Sequence, residues 1–123
     1  MAVVNPTITR FIGSGDGSLV KATWVFATEA DTASAIVLPE FADKSVQVFG
    51  TFGTVHITMH GSNDAGTTFA ALNDPSGTVI DIAAAKIKAI LENTEQIKPV
   101  VTAGTGGPLT VVMLARLSNP LRT

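Results

Sequence analysis

The chain has 123 residues, of which 46% are hydrophobic and 15% charged, with a net charge of −2, two histidines and no cysteine. That length makes one domain with a real core, and the lack of cysteine excludes disulfides and thiolate chemistry. Lys and Arg are scattered singly, as at Arg10, Lys21, Lys44 and Lys98, and only Lys86 and Lys88 lie close together; without a basic stripe, no direct nucleic-acid ligand is expected.

Residues 1–18 read as an N-terminal arm, followed by a single β-sandwich domain over 19–123. Val3, Val4, Ile8, Phe11 and Ile12 are apolar, but Pro6 and the run Gly13–Ser18 break any regular element. Two readings stand side by side: an arm that docks on a neighbour, and an edge strand folded onto its own core. Leu19–Thr28 alternates, with Val20, Ala22, Trp24 and Phe26 on one face and Lys21 and Thr23 on the other, which predicts a half-buried strand with Trp24 in the core. Ala33–Leu38 is a second strand, stopped by Pro39, and Lys44–Phe52 a third, with Gly50 and Gly53 marking a bulge or turn.

The fourth strand has Val55, Ile57 and Met59 on one face and His56, Thr58 and His60 on the other. A tight polar turn leads to a fifth, Thr67–Leu72. After the Asp74-Pro75-Ser76-Gly77 turn comes a sixth, Thr78–Ile82. Ala83–Asn93 is the one candidate helix, with Ile87, Ile90 and Leu91 at helical spacing and Asp81 as a cap. Glu95–Ala103 is a seventh strand, whose Pro99 argues for an edge. Leu109–Leu117 is the eighth; it is apolar on both faces, hence central or at an interface. About eight short strands joined by Gly, Pro, Asn and Asp turns predict an all-β fold, an antiparallel β-sandwich of jelly-roll or Ig-like kind with one short helix.

No constellation in the chain points to catalysis. His56 and His60, four apart on a strand, lie roughly 13 Å from each other at ~3.3 Å per residue and cannot chelate one ion. Asn63-Asp64-Ala65-Gly66 lacks the alternating acids and distal glutamate of a calcium loop and reads as a hairpin turn. Neither Gly-rich stretch, Gly13–Gly17 or Gly104–Gly107, is followed by Lys-Ser/Thr opening a helix, so neither is a phosphate loop. No Ser/His/Asp arrangement is suggested, and most of the acids, Asp31, Glu40, Asp43, Asp64 and Asp74 among them, fall in turn-like contexts. No catalytic, cofactor or metal residue is therefore expected.

A charged fraction well below the roughly 25% of ordinary soluble domains leaves a surface rich in Thr, Ser, Ala and Gly. A partner covers such a surface at low desolvation cost, which favours an assembly subunit over a free monomer. MAVVNPTITRFI has no basic segment ahead of a long apolar core, and no apolar run approaches the ~20 residues of a membrane helix. The expectation is synthesis in the cytosol, no membrane partner, and solubility until assembly.

GSNDAGTTFAALNDPSG, followed by ENTEQIKPVVTAGTGGPLTVVMLAR, resembles small structural proteins of tailed bacteriophages. The resemblance covers about Lys44–Arg116 and rests on turns and strand residues; it departs at Ala65, where the family pattern has Gly. Within those proteins it points to capsid decoration, or cement, proteins: non-enzymatic β-sandwiches on the outside of the virion head that clamp neighbouring major capsid proteins. The partners implied are the major capsid protein and a second copy of the chain, as a dimer in preference to a trimer. Val3, Val4, Ile8, Phe11 and Ile12 are the candidate contact residues, with Leu117 and Leu121 beside them. The competing readings are a head–tail or tail-tube component, and a carbohydrate-binding sandwich using Phe41 or Phe69.

Overall fold

The computed structural model describes residues 3–11, 19–38, 41–102 and 104–117, and among these every regular element is a strand. In chain order they are β1 (Val3–Val4), β2 (Thr7–Phe11), β3 (Leu19–Phe26), β4 (Thr32–Ala33), β5 (Ile36–Val37), β6 (Phe41–Gly50), β7 (Ile57–Ser62), β8 (Ala70–Ala71), β9 (Lys86–Ile90), β10 (Gln96–Val101) and β11 (Leu109–Leu117). A five-stranded sheet runs β2-β3-β11-β6-β9 and a four-stranded one β5-β10-β7-β8, both antiparallel throughout; β1 and β4 form a small parallel ladder.

The inner faces of the two large sheets supply one core. Val20, Ala22, Trp24 and Phe26 of β3, Val46 and Val48 of β6, and Leu109, Val111, Met113 and Ala115 of β11 meet Ile57 and Met59 of β7 and Ile97 of β10. Each large side chain so buried contributes about 1.5–3 kcal/mol relative to exposure. Trp24 is the core residue expected: it is fully buried, and its Nε1–H donates to the Ser34 carbonyl at 2.9 Å, which satisfies the one polar atom of the ring. The doubly apolar strand β11 is central, paired with β3 on one side and β6 on the other.

Between Leu114 and Arg116 the β11–β6 register shifts. On the β6 side of that bulge lies Lys44, which is buried; its Nζ donates to Asn93 Oδ1 at 2.7 Å and to the Phe41 carbonyl at 3.4 Å. Burial holds its pKa below the ordinary lysine range, against the opposing pull of Asp43.

The predicted helix over Ala83–Asn93 is not present; Lys86–Ile90 is instead edge strand β9, paired with β6 from Lys44↔Ile90 to Val48↔Lys86. A helix this short is marginal in water, whereas the strand satisfies the outer backbone edge of β6 and buries Ile90. Asp81 caps nothing and pairs with His56. Among the described residues the strands number eleven: β4, which begins at Thr32, and β5 replace the single strand expected over 33–38, residues 3–11 supply β1 and β2, and β9 is gained where the strand expected over Thr78–Ile82 is lost. Thr78–Ile82 forms only the bridges Asn73↔Val79 and Ile57↔Ile82, yet Ile80 and Ile82 are fully buried. The strand expected over Thr67–Leu72 shrinks to β8, because Thr67 and Thr68 are held in the preceding turn by Asp64. Pro99 lies on an interior strand, not an edge: β10 runs between β5 and β7, but β5 pairs only Gln96 and Ile97, so the missing N–H of Pro99 falls past its end.

Candidate interaction surfaces

Because side chains alternate along a strand, the register that buries Val20, Val111 and Val48 turns their neighbours outward. On the outer face of the five-stranded sheet this gives three cross-strand rows. One runs Thr7, Thr23, Val112, Gln47, Ile87; the next Thr9, Lys21, Leu114, Ser45, Ala89; the third Val25, Thr110, Phe49. Lys21 is the one charged side chain in these rows. Val25, Phe49, Ile87 and Leu114 are exposed, Ile87 to 63%. A depression of about 260 Å³ opens between Lys21, Ser45, Gln47, Ile87, Val112 and Leu114.

The outer face of the four-stranded sheet is different. His60, Lys98 and Gln96 face outward there, and the segment after β7 folds back onto them. Ser62 Oγ–H donates to Asp64 Oδ1 at 2.6 Å, and the Thr68 N–H donates to the same oxygen at 2.9 Å; both bonds hold the Asp64 carboxyl below its ordinary range. The Ala65 N–H donates to Glu95 Oε1. The Phe69 ring then lies under Lys98 Nζ, 4.3 Å from the ring centre. Burial first, and the Lys98 charge second, lower the pKa of His60, which favours the neutral ring near pH 7.

The two histidines stay apart in role. His56 Nδ1 sits 2.6 Å from Asp81 Oδ1 at the surface, while His60 lies on β7 beside Lys98. Among the described residues no group of three His, Asp or Glu side chains is placed to hold an ion. The Asp74 turn is a closed polar unit: Oδ1 accepts from Ser76 Oγ–H at 2.6 Å, Ser76 N–H at 3.0 Å and Thr78 N–H at 3.1 Å, and Lys88 Nζ lies 3.2 Å from Oδ2. The Ser76 hydroxyl, then the Thr78 amide, pull the Asp74 carboxyl down to about 2. The Gly-rich stretch near 104–107 is packed against backbone: a Cβ on Gly106 would overlap the Phe52 carbonyl oxygen, and one on Gly53 would overlap that of Thr105.

The contact residues expected from the sequence separate into two places and a remainder. Val3 is 67% exposed on β1, while Val4 is half-buried against the core and its carbonyl accepts the Ser34 N–H at 2.9 Å. Ile8, 48% exposed, lies on the core side of β2 at the sheet edge, opposite Ala22. The backbones of Phe11 and Leu117 reach the same end of the five-stranded sheet, since Phe11 pairs with Leu19, Leu19 with Arg116, and Leu117 with Phe41. Ile12 and Leu121 lie outside the described residues. Of the phenylalanines considered for sugar stacking, Phe41 is buried, and Phe69 is half-buried with Lys98 over one face of its ring. Val25, Phe49 and Ile87 were not singled out by sequence reasoning. The one signal pointing to their face was the double apolarity of 109–117, which contributes Val112 and Leu114.

No family model and no curated protein matches this sequence. Among solved structures the chain is similar to one described as "Bacillus endospore appendages form a novel family of disulfide-linked pili", at 14% identity and a TM-score of 0.39, over 93% of this chain and 91% of that one. So loose a superposition carries no argument about what this chain does.

Proposed function

We propose that this chain is a non-enzymatic structural protein of a bacteriophage virion, a sandwich of jelly-roll or Ig-like kind. In this reading it binds the outer capsid surface and clamps neighbouring major capsid proteins. The observation that carries the reading is the exposure of Val3 and Ile8, large apolar side chains on two successive strands beside a sheet edge. The phage-like turn and strand pattern over about Lys44–Arg116 supports it, as does the scarcity of charge. The mechanism is mechanical: a subunit bridging a junction adds buried area that must be lost before the shell opens, so binding to the closed shell stabilises it.

Removing residues 1–12 is a poor test, because it strips β2 from β3 and exposes the β3 edge. The better variant is Val3→Glu with Ile8→Glu, which keeps the backbone ladders. Mixed with expanded capsid shells, the natural chain is expected to saturate defined sites seen by electron microscopy. The double variant should lose at least about tenfold in affinity while still folded at the binding temperature, its midpoint lowered by the change at Ile8 on the core side of β2, and Val3→Glu alone should weaken binding with its midpoint little changed. Full occupancy by the double variant sinks the assignment of this edge, and absence of binding by the natural chain sinks the capsid reading.

A further inference from the structure

We propose that the outer face of the five-stranded sheet is the surface on which a second copy of this chain docks, sheet against sheet, to form a two-fold dimer. This rests on the reading of the chain as an assembly subunit and adds to it the face that makes the dimer.

Three observations point to a second copy as the occupant. The first is size. Five strands at ~4.8 Å spacing and about six residues at ~3.3 Å span roughly 24 by 20 Å, or about 480 Å² on each copy. Two such faces together offer about 960 Å², close to the ~1,000 Å² that a biological interface should clear and at the small end of the range for dimers. The second is the self-complementary order of the rows. A two-fold axis lying between the faces and parallel to β11 exchanges β3 with β6 and β2 with β9. Val25 then faces the second copy's Phe49, and Phe49 its Val25, while Val112 and Leu114 meet their own equivalents on the axis. Lys21 faces Ser45 of the second copy, so within the three rows no like charges oppose each other. The third is the contrast between the two large sheets. The outer face of the four-stranded sheet is partly covered by the segment around Asp64–Phe69, whereas among the described residues no segment lies over the four exposed apolar residues of the five-stranded face.

Stacked sheets keep their strand directions within about 30° of one another, which preserves these facing sets while offsetting individual pairs. The depression bounded by Lys21, Gln47, Ile87 and Leu114 gives the partner's apolar side chains room to interdigitate at a sheet spacing of about 10 Å.

The test uses the full chain in isolation. Sedimentation equilibrium across about 1–100 µM is expected to give a species of twice the 12.7 kDa chain mass. Leu114→Lys places two ammonium groups against each other on the axis and should weaken the dimer at least about a hundredfold. Val37→Lys, a change on the other sheet at a residue more exposed than Leu114 (57% against 38%), should leave it intact. Because the chain has no cysteine, Val112→Cys and Val100→Cys provide a readout that does not depend on the charge variant. A short bis-maleimide should join two copies through position 112 and not through position 100. A monomer at 100 µM, a trimer, a dimer unaffected by Leu114→Lys, or equal crosslinking at both positions overturns the inference. If the chain is monomeric and Leu114→Lys instead lowers shell occupancy, the capsid covers this face. In that case the dimer fails while the capsid reading stands.

Discussion

Ala65 holds a left-handed backbone conformation, φ +61°, followed by Gly66 at +84°. An alanine there carries a steric cost of roughly 1–2 kcal/mol that glycine does not, offset in part by the freer unfolded chain that glycine brings. Ala65→Gly is therefore expected to stabilise the protein by up to about 1 kcal/mol, read as a higher urea midpoint with an unchanged slope. From the sequence, Ala65 is only a departure from the Gly of the resembling pattern; the structure shows why Gly suits it, since two successive left-handed residues occupy positions 65 and 66. Asp74 gives a second prediction at this scale. Its folded-state carboxyl is held near 2, below the ordinary value of about 3.9. A lowered carboxyl pKa adds stability that is complete above the unfolded value and disappears as the pH falls through the folded one. Stability should thus decline between about pH 4 and pH 2, and Asp74→Asn should flatten that part of the urea-midpoint profile while lowering the plateau at pH 7. The turn itself was legible in Asp-Pro-Ser-Gly. Its partner Lys88 was not, because that contact spans fourteen residues of chain and a strand that reads as helix.

At the scale of elements, β3 and β7, with clean alternation, and the doubly apolar β11 lie where the sequence puts them, since each buries one face against the same core. The segments that were misread are those whose apolar spacing does not by itself decide how their backbone pairs. Lys86–Ile90 has apolar spacing that suits either helix or strand, and the open edge of β6 decides between them. Thr78–Ile82 reads as a strand because it alternates, yet it makes only single bridges and contributes buried isoleucines instead of a ladder. The Gly-rich segment near 104–107 was recognised as a loop without a reason for so much glycine; the reason is backbone packed on backbone at Phe52–Thr54. Gly106→Ala forces that pair of loops apart and should cost about 1–3 kcal/mol, as overpacking in a tight site does. A lower thermal midpoint with unchanged far-ultraviolet dichroism below the transition would show it; an unaltered midpoint would mean the loops separate freely.

For the whole molecule, the arrangement of sheets turns scattered residues into surfaces. Val25, Phe49, Ile87 and Leu114 come from four different strands and come to share one face, whose three rows hold the single charge of Lys21, only through the order β3-β11-β6-β9. If that face binds a second copy, folding and association are linked, so the thermal midpoint should rise with protein concentration. Leu114→Lys should abolish that dependence, which scanning calorimetry at two concentrations about a hundredfold apart would measure. The candidate contact residues were legible as apolar positions near the start of the chain, but not as a site: β1 pairs with β4, and β2 closes the edge of the large sheet. By itself the sequence determined the all-β class, the buried faces of β3 and β7 and the lack of a basic stripe, because these follow from local alternation and composition. Only the tertiary structure decided that Lys86–Ile90 is a strand, that Pro99 is interior, and which outward residues share a face, because backbone pairing and cross-strand register are set by partners far away in the chain.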